Sequence, residues 1–300
     1  MGWLPPTVDE LRARLGSTLF LRVAGPSGEA NRARIHGTPG PRWFGPDSPI
    51  RTVHGDASMF AGGLAALLVQ SLHPLAMAAV SAHSGFRGDP WGRLQRTSTF
   101  LAVTTFGTAE DARQAVERVR AVHERVRGRT PDGRAYHAAD PHLLGWVHVA
   151  EVDCFLRAHR RYGAHPLDRA GYDGYVADAA RIAEELGVER PPRSVEELAE
   201  RVEAYRTELR STPACRETAR FLLLRPPIPW QARAPYALLA AGAVALLPPW
   251  AYGPLGLPAF PGPVSAGARA GGRLATGAIR WAMAPPPPVR TTAVQGLPSA

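Results

Sequence analysis

Lysine is absent from this chain of 300 residues, in which all 35 basic residues are arginine and 26 residues are acidic. The arginines are scattered among acids and form no block of five or six. Aromatic residues do not alternate with them, as they do on a surface that stacks nucleic-acid bases. The formal net charge of +9 therefore indicates a bias in composition, and we expect no nucleic-acid partner.

Cysteine is almost as scarce. Cys154 and Cys215 are the two cysteines of the chain, which is too few for a disulfide framework. Neither belongs to a CxxC pair of the kind that binds zinc or carries out thiol exchange. Cys154 lies in VDCFLRA, on an apolar helical face, and this position is typical of an inert core thiol.

Signals for export and for membrane insertion are also missing. The N-terminal stretch MGWLPPTVDELRARLG has neither the basic nor the apolar region of a signal peptide, so a cytoplasmic location is expected. One apolar segment, YALLAAGAVALLPPWAYGPLGLP, has about a dozen uncharged residues before Pro248, fewer than the ~20 of a membrane span. We expect a buried helix there, and peripheral membrane contact through residues 236–257 stays open.

Sequence motifs of several enzyme classes cannot be found. The chain has no HExxH, no Walker loop and no GxSxG elbow, and GDASMFAGG is not a dinucleotide fingerprint. Hydrolase and nucleotide-enzyme functions therefore lack their chemistry.

Helical periodicity is the dominant pattern, and no segment alternates convincingly as a strand does. In TAEDARQAVERVRAVHERVRG, Thr108 is the predicted N-cap and Gly128 the predicted C-terminal stop. Further helices are predicted from Asp140-Pro141, over about Asp168–Leu186, and over about Ser194–Ser211. A fully buried helix pair, broken near His73-Pro74, is predicted from Gly55 onward. The fold class is thus all-α, a single multi-helix domain.

Both ends of the chain differ in composition from its middle. Residues 1–50 form a Gly/Pro-rich leader with one short helix, capped by Thr7 and Glu10. Residues 51–260 form the helical domain. Residues 261–300 are rich in Pro and Gly and are predicted to be a disordered tail, most clearly from Pro285 onward.

Three polar residues in RLQRTSTFLAVTTFG suggest a functional face. Arg93, Arg96 and Thr97 are spaced i, i+3, i+4 and share one side of a helix otherwise rich in apolar residues. A guanidinium among apolar neighbours needs a partner because burying it alone is costly. That partner is a carboxylate, a helix C-terminus or a bound ligand.

Ten histidines raise the question of a metal. His123 borders the apolar stripe of its helix, which fits either a core histidine or an axial haem ligand. His148 lies one turn before Glu151 and close to Asp153, so a non-haem iron site is an alternative if a second histidine comes from elsewhere. Six others are predicted to be structural or solvated: His73 and His83 in the core, and His137, His142, His159 and His165 in solvent.

A series of motifs runs in order from about Gly55 to Leu257. It comprises HP, HSxFRxDPxxRLxRT, FG, HxxVxG, YxAxDPxLLxWVH with a following Asp, RPPIPW and LLPPW…LGLP. In these motifs and gaps the chain resembles the oxygenase family of the fungal mycophenolic-acid pathway enzyme MpaB and of the latex-clearing protein, a bacterial rubber oxygenase.

This resemblance implies a globin-like helical core that holds haem b. His123 is similar to the proximal iron ligand, with His148 as the alternative, while Arg93, Arg96 and Thr97 resemble the distal polar set that meets the haem propionates or the oxygen substrate. The implied function is a haem-dependent oxygenase that uses O₂ on an apolar, isoprenoid or lipid-like small molecule.

One departure from the rubber-cleaving enzymes is that they carry a lysine where this chain has Arg96, and arginine stays protonated at ordinary pH. Polyisoprene cleavage is therefore not expected. Two other interpretations remain. One is a non-catalytic haem- or lipid-binding module; the other is a non-haem iron enzyme that uses His148 with Glu151 or Asp153.

Overall fold

A computed structural model describes residues 7–83, 89–258 and 261–284. Within these ranges the chain forms fourteen α-helices and one short β-hairpin. The helices are α1 (Val8–Ala24), α2 (Gly28–Gly37), α3 (Pro49–His54), α4 (Met59–Gln70), α5 (Pro74–His83), α6 (Pro90–Phe106), α7 (Ala109–His123), α8 (Pro141–Tyr162), α9 (Arg169–Leu186), α10 (Val195–Tyr205), α11 (Pro213–Leu224), α12 (Arg233–Val244), α13 (Pro249–Leu255) and α14 (Gly262–Met283). The all-α prediction is confirmed, and the globin-like arrangement of the core stays a prediction.

The core is built around α8, which packs along α4. The two helices approach closely because α4 offers Gly62, where a Cβ atom would lie 3.0 Å from Phe155 and from Ala158 of α8. Trp146 of α8 is fully buried, and its indole nitrogen donates to the carbonyl of Gln70 at 3.2 Å. Helices α9, α10 and α12 complete the main apolar cluster around this pair.

The predicted break at His73-Pro74 is confirmed, since α4 and α5 meet at an angle of 107°. The imidazole of His73 lies at the start of α5, where its Nδ1 accepts a hydrogen bond from the Ala76 amide at 3.4 Å. Pro74 occupies the first turn of α5, a position where its missing N–H costs nothing. The loop motif after α5 lies mostly outside the described residues, in positions 84–88.

Gly128 is not the helix stop that the sequence predicts. Helix α7 ends at His123, and Gly128 lies in strand β1 (Arg127–Arg129), which pairs antiparallel with β2 (Ala135–His137). A Cβ atom on Gly128 would overlap the Tyr136 hydroxyl. Glycine is therefore needed at this position because Tyr136 lies opposite it on the neighbouring strand. In the sequence, a glycine that follows a helical stripe looks the same as a helix end.

The prediction of a disordered segment is wrong for most of the tail, because residues Gly262–Met283 form α14. The glycines of this segment allow close helix packing: a Cβ on Gly242 of α12 would lie only 2.5 Å from the Cα of Gly272. The leader is also more helical than predicted, since α1 and α2 occupy much of it and α1 packs on α14. Residues 285–300 lie outside the described residues.

Residues 236–257 supply core rather than surface. Seven of their side chains belong to the main buried cluster: Ala240, Ala243, Val244, Leu246, Leu247, Ala251 and Leu255. Taken one at a time, the described helices are each too short or too polar to cross a membrane, whereas the bent pair α4–α5 passes the length and composition test and lies largely in the protein core.

Candidate functional site

Helices α6 and α7 contact each other and are joined by Gly107 and Thr108 alone, and we call this pair the α6–α7 hairpin. Arg93 lies 14 residues before Gly107 and His123 lies 16 residues after it, so both stand roughly 20–25 Å from the turn at 1.5 Å per residue. The predicted distal and proximal residues therefore both lie on the parts of the two helices that are remote from the turn.

His123 continues the inward face of α7. The stripe runs through Ala112, Val116 and Val119, and accessibility increases along it until the half-buried His123. The Nδ1 atom of His123 is buried and has no hydrogen-bond partner in the described part of the chain. Burial, with the nearby His137, lowers the pKa of His123. The imidazole is therefore neutral at pH 7, the form that ligates a metal.

The arginines of α6 have different surroundings. Burial, and then the charge of Arg96, lower the pKa of Arg93, so Arg93 is the desolvated member of the pair. Arg96 is exposed and forms an ion pair with Asp89 at 3.4 Å, while Thr97 is also exposed. The structure thus gives Arg96 a carboxylate partner, one of the three partners that the sequence left open.

A second group of titratable side chains lies deep along α8. Burial lowers the pKa of His148 to about 4 and raises the pKa of Glu151 to about 7. The Nε2 atom of His148 is buried without a hydrogen-bond partner in the described residues. Burial of Tyr175 on α9, and then the charge of nearby Glu151, raise the pKa of its phenol. His148 and Glu151 are one turn apart on the same face.

His54 belongs to this interior region, although sequence reasoning did not single it out. Its Nδ1 lies 2.8 Å from the Thr105 hydroxyl of α6, and its Nε2 lies 3.5 Å from the Tyr175 hydroxyl. Burial lowers the pKa of His54 to about 4. No local motif could have found this residue, because its partners come from α6 and α9.

Asp153 does not join His148. Its carboxylate accepts a hydrogen bond from Arg157 at 2.7 Å, one turn further along α8. Of the two carboxylates that the sequence offered to a non-haem iron site, Glu151 is the one that remains available in the described part of the chain.

Among the described residues, three potential metal ligands converge only at His73, His142 and Glu208, whose ligand atoms lie within 4.8 Å of one another. The Nε2 atom of His142 is 2.8 Å from Oε1 of Glu208, and that of His73 is 3.2 Å from Oε2. Because Nδ1 of His73 accepts from the Ala76 amide, its proton is on Nε2 and points at Glu208. A metal on that nitrogen would displace this proton to Nδ1, against the Ala76 N–H. The geometry therefore favours a hydrogen-bonded cluster of these three side chains over a metal site.

Several histidines differ from their predicted environments. His73 is 2% exposed, and His165 is exposed, both as predicted. The prediction is wrong for His83, which is exposed and bonds to the Tyr136 hydroxyl at 3.2 Å. It is also wrong for His159, which is fully buried against Tyr172. His137 is half-buried and His142 is exposed but bound to Glu208.

Comparison with known proteins adds a family to this geometry. The model of the family described as "ER-bound oxygenase mpaB/B'/Rubber oxygenase, catalytic domain" matches residues 51–281. The chain belongs to this oxygenase family. The match includes α6, α7 and α8 and ends inside α14, so about half of the segment predicted to be a tail belongs to the catalytic domain.

Two relatives are 35% identical to this chain over 100 residues: the uncharacterized protein Mb2261 of Mycobacterium bovis and the uncharacterized protein Rv2237 of Mycobacterium tuberculosis. The matched stretch covers 33% of this chain and 38% of each relative. No solved structure matches this oxygenase-family chain.

A neutral substitution tests the environment of Glu151 in this oxygenase domain. Because burial raises its pKa above the ordinary 4.5 to about 7, its contribution to stability is present below pH 4.5 and is lost as pH rises through 7. Glu151→Gln should raise the free energy of unfolding at pH 8 by about 1–3 kcal/mol, and by less at pH 5. Denaturant unfolding at the two pH values measures this change.

The matched control for Glu151→Gln is Asp153→Asn on the same helix. This variant should lose stability, because the Asp153 carboxylate is paired with Arg157. If Glu151→Gln also lowers stability at pH 8, the carboxylate of Glu151 is stabilised as an anion and its desolvated assignment is wrong.

Proposed function

We propose that this chain is a haem b-dependent oxygenase that uses O₂ to oxidise an apolar small molecule. The observation that carries the proposal is His123, a desolvated imidazole with an unpartnered Nδ1. In this proposal His123 and Arg93, each remote from the turn of the α6–α7 hairpin, face the same haem. An oxygenase-family domain with a neutral histidine of this kind has the protein ligand that a haem iron requires.

The residues proposed to hold haem fit it in charge as well as in ligand type. A porphyrin brings two carboxylates, and the desolvated guanidinium of Arg93 suits a carboxylate by charge and by its planar donor pattern. Arg96 extends the positive charge along the same face, where Asp89 is its present partner. His123 would hold the iron and the arginines would hold the propionates.

Haem would supply oxygen activation, and the chain would supply orientation and charge. Where they meet the oxygen substrate instead of the propionates, Arg93 and Arg96 would stabilise the negative charge that develops on it, and the hydroxyl of Thr97 would donate a hydrogen bond. Preorganised donors of this kind act most strongly where water is excluded.

The deep face of α8 is the proposed substrate and proton-handling side. His148 and Glu151 each keep part of their surface accessible, although burial dominates the pKa of both. Side chains that are shielded from bulk water but keep some accessible surface are typical of the lining of an interior pocket. A carboxyl whose pKa is about 7 can accept or release a proton near neutral pH, while Phe155, Leu64 and their apolar neighbours favour an isoprenoid or lipid-like substrate.

Replacing Arg96 by alanine tests its role. The exposed ion pair with Asp89 is worth about 0–1 kcal/mol, so the free energy of unfolding should change by no more than that. If Arg96 lies on the distal side, the affinity of haem-loaded protein for cyanide or azide should change by about tenfold or more. Spectral titration measures the affinity, and an unchanged value would restrict Arg96 to its surface ion pair.

Oxygen consumption tests the function directly. Haem-loaded protein should consume O₂ in the presence of a reductant and an apolar substrate from a panel of terpenoids and fatty acyl compounds, and the oxidised product should carry ¹⁸O from ¹⁸O₂. Protein without haem is the control. Haem uptake with no oxygen-dependent product across the panel would instead support a non-catalytic haem- or lipid-binding module.

A second candidate, a non-haem iron enzyme, is favoured by the buried unpartnered Nε2 of His148 one turn before Glu151. Two protein ligands from one helix leave iron short of the usual three. Metal analysis that finds iron without porphyrin, lost in a His148→Ala variant and retained in His123→Ala, would support this candidate.

A further inference from the structure

The last part of the chain has an unusual charge pattern. Residues 218–300 contain seven arginines and no aspartate or glutamate. This segment therefore accounts for +7 of the formal net charge of +9. In the described part of the chain, one of these arginines, Arg280, is paired with an acid, Asp56. Arg225, Arg233 and Arg273 are exposed and take part in none of the ion pairs found there.

Large apolar side chains are exposed beside these arginines. Leu274 is 69% exposed and Trp281 is 42% exposed on α14, and Leu238 is 44% exposed on α12. At the start of α12, Trp230 is 76% exposed. Soluble proteins rarely leave this much apolar surface together without a partner.

Three of these side chains lie on one surface. Leu274 and Trp281 are seven residues apart, which places them on the same face of α14. Leu238 contacts α14 one turn earlier, since a Cβ on Gly271 would lie 3.1 Å from Leu238 Cδ2. Gly277 lies between Leu274 and Trp281, and Gly267 lies two turns before Leu274; a Cβ on either glycine would meet no atom within 4 Å. We call Leu238, Arg273, Leu274 and Trp281 the C-terminal face.

We propose that the C-terminal face docks on the surface of a bilayer that contains anionic phospholipids. An exposed helix with leucine and tryptophan on its open side and arginine beside them has the composition of an interfacial helix. Tryptophan favours the headgroup region of a bilayer, and arginines without nearby acids are attracted to its negative surface potential. Apart from Leu238, this surface lies outside residues 236–257, most of whose apolar side chains are in the core or packed against it.

The charge pattern decides between a membrane and a second copy of the chain. A symmetric dimer through this face would bring Arg273 of one copy near the acid-free α14 of the other, so like charges would meet across the interface. Anionic headgroups remove that repulsion. The proposal is independent of haem, because the C-terminal face contains none of the residues assigned to the haem site.

Vesicle flotation of the full chain tests the proposal. The protein should float with phosphatidylcholine vesicles that contain 30% phosphatidylglycerol, as an order-of-magnitude physiological anionic content, and high salt should release it. Arg273→Glu should weaken partitioning by roughly tenfold or more, since each basic residue near the surface is worth about fivefold. Leu274→Ser should weaken it to a similar extent through lost apolar contact.

The controls are Arg118→Glu and Val122→Ser, which change an exposed arginine and an exposed valine of α7. Neither should alter flotation, and circular dichroism should show all four variants folded. The proposal is overturned if the protein does not float, if it floats equally with neutral vesicles, or if the α7 variants lose binding as the α14 variants do. It is also overturned if Leu274→Ser converts a dimer to a monomer without any effect on vesicles.

Discussion

Replacing His123 by alanine is expected to give a folded, helical protein that retains little haem. An axial imidazole dominates haem retention, so loss of its nitrogen should lower haem occupancy by about tenfold or more. His137→Ala and His148→Ala are the matched controls, because both residues are histidines with a ring nitrogen that is buried and lacks a hydrogen bond. Each control should keep the Soret band. The measurement is the ratio of Soret to protein absorbance after reconstitution with haemin.

Imidazole added to the His123→Ala variant should restore part of the Soret band, because a free imidazole can occupy the position of the missing side chain. The assignment is wrong if His123→Ala binds haem with an unaltered spectrum while His148→Ala loses it. In that case the iron ligand is His148 of α8, and α7 does not supply it.

Arg280→Ala is expected to lower the free energy of unfolding by about 2–4 kcal/mol. This lies toward the lower part of the range for a buried ion pair that loses one partner, because Arg280 is partly exposed. Arg280 contacts both carboxylate oxygens of Asp56 at 3.0 Å and also donates to the Tyr162 carbonyl at 2.9 Å. Asp56 is only 9% exposed, so removing the guanidinium leaves a buried carboxylate with fewer partners.

The pH dependence of the Asp56–Arg280 pair has a definite sign. Burial by itself would raise the pKa of Asp56, but hydrogen bonds from Ser58, Ala164 and Arg280 outweigh it and hold the pKa below its ordinary 3.8. Stability from this group is therefore present above pH 3.8 and is lost as pH falls through the lowered pKa. Denaturant unfolding near neutral pH and in acid measures both the loss and its pH range.

Arg273→Ala is the control for Arg280→Ala, because Arg273 lies seven residues earlier on α14 and is exposed. It should change stability by no more than about 0.5 kcal/mol. Equal effects of the two substitutions would mean that the pair with Asp56 does not hold α14 against the domain.

Helix starts could be predicted from the sequence because their physics is local. Thr7, Thr108, Asp140 and Ser194 each accept a hydrogen bond from a backbone amide two or three residues later, as their spacing before each helix predicts. The all-α class followed from the same periodicity. At the other end, the helix predicted to reach Ser211 ends at Tyr205, because its last residues have no comparably specific stop signal.

Long-range contacts account for what sequence reasoning missed. Asp56 and Arg280 are 224 residues apart, and no composition signal shows that a Gly-rich segment ends in an anchoring arginine. His73 and Glu208 are 135 residues apart, so their contact with each other and with His142 is invisible in any local pattern. Glycines in α14 indicated disorder by composition, whereas their role is close approach of α12.

In the candidate site too, positions along the helices could be predicted from the sequence, whereas side-chain environments could not. The positions of Arg93 and His123 on two consecutive helices joined near Gly107 could be predicted from the sequence. The exposure of Arg96, the pairing of Asp153 with Arg157, and the desolvation of Glu151 depend on neighbours from other elements or on side-chain direction, which spacing alone does not fix.

The absorption spectrum of the purified protein, titrated with haemin and recorded oxidised and reduced, is the decisive test of a haem-dependent oxygenase. We expect one haem per chain, a Soret band that shifts on reduction with dithionite, and loss of that band in His123→Ala. A protein that stays colourless and takes up no haemin, or that contains iron without porphyrin, would contradict it.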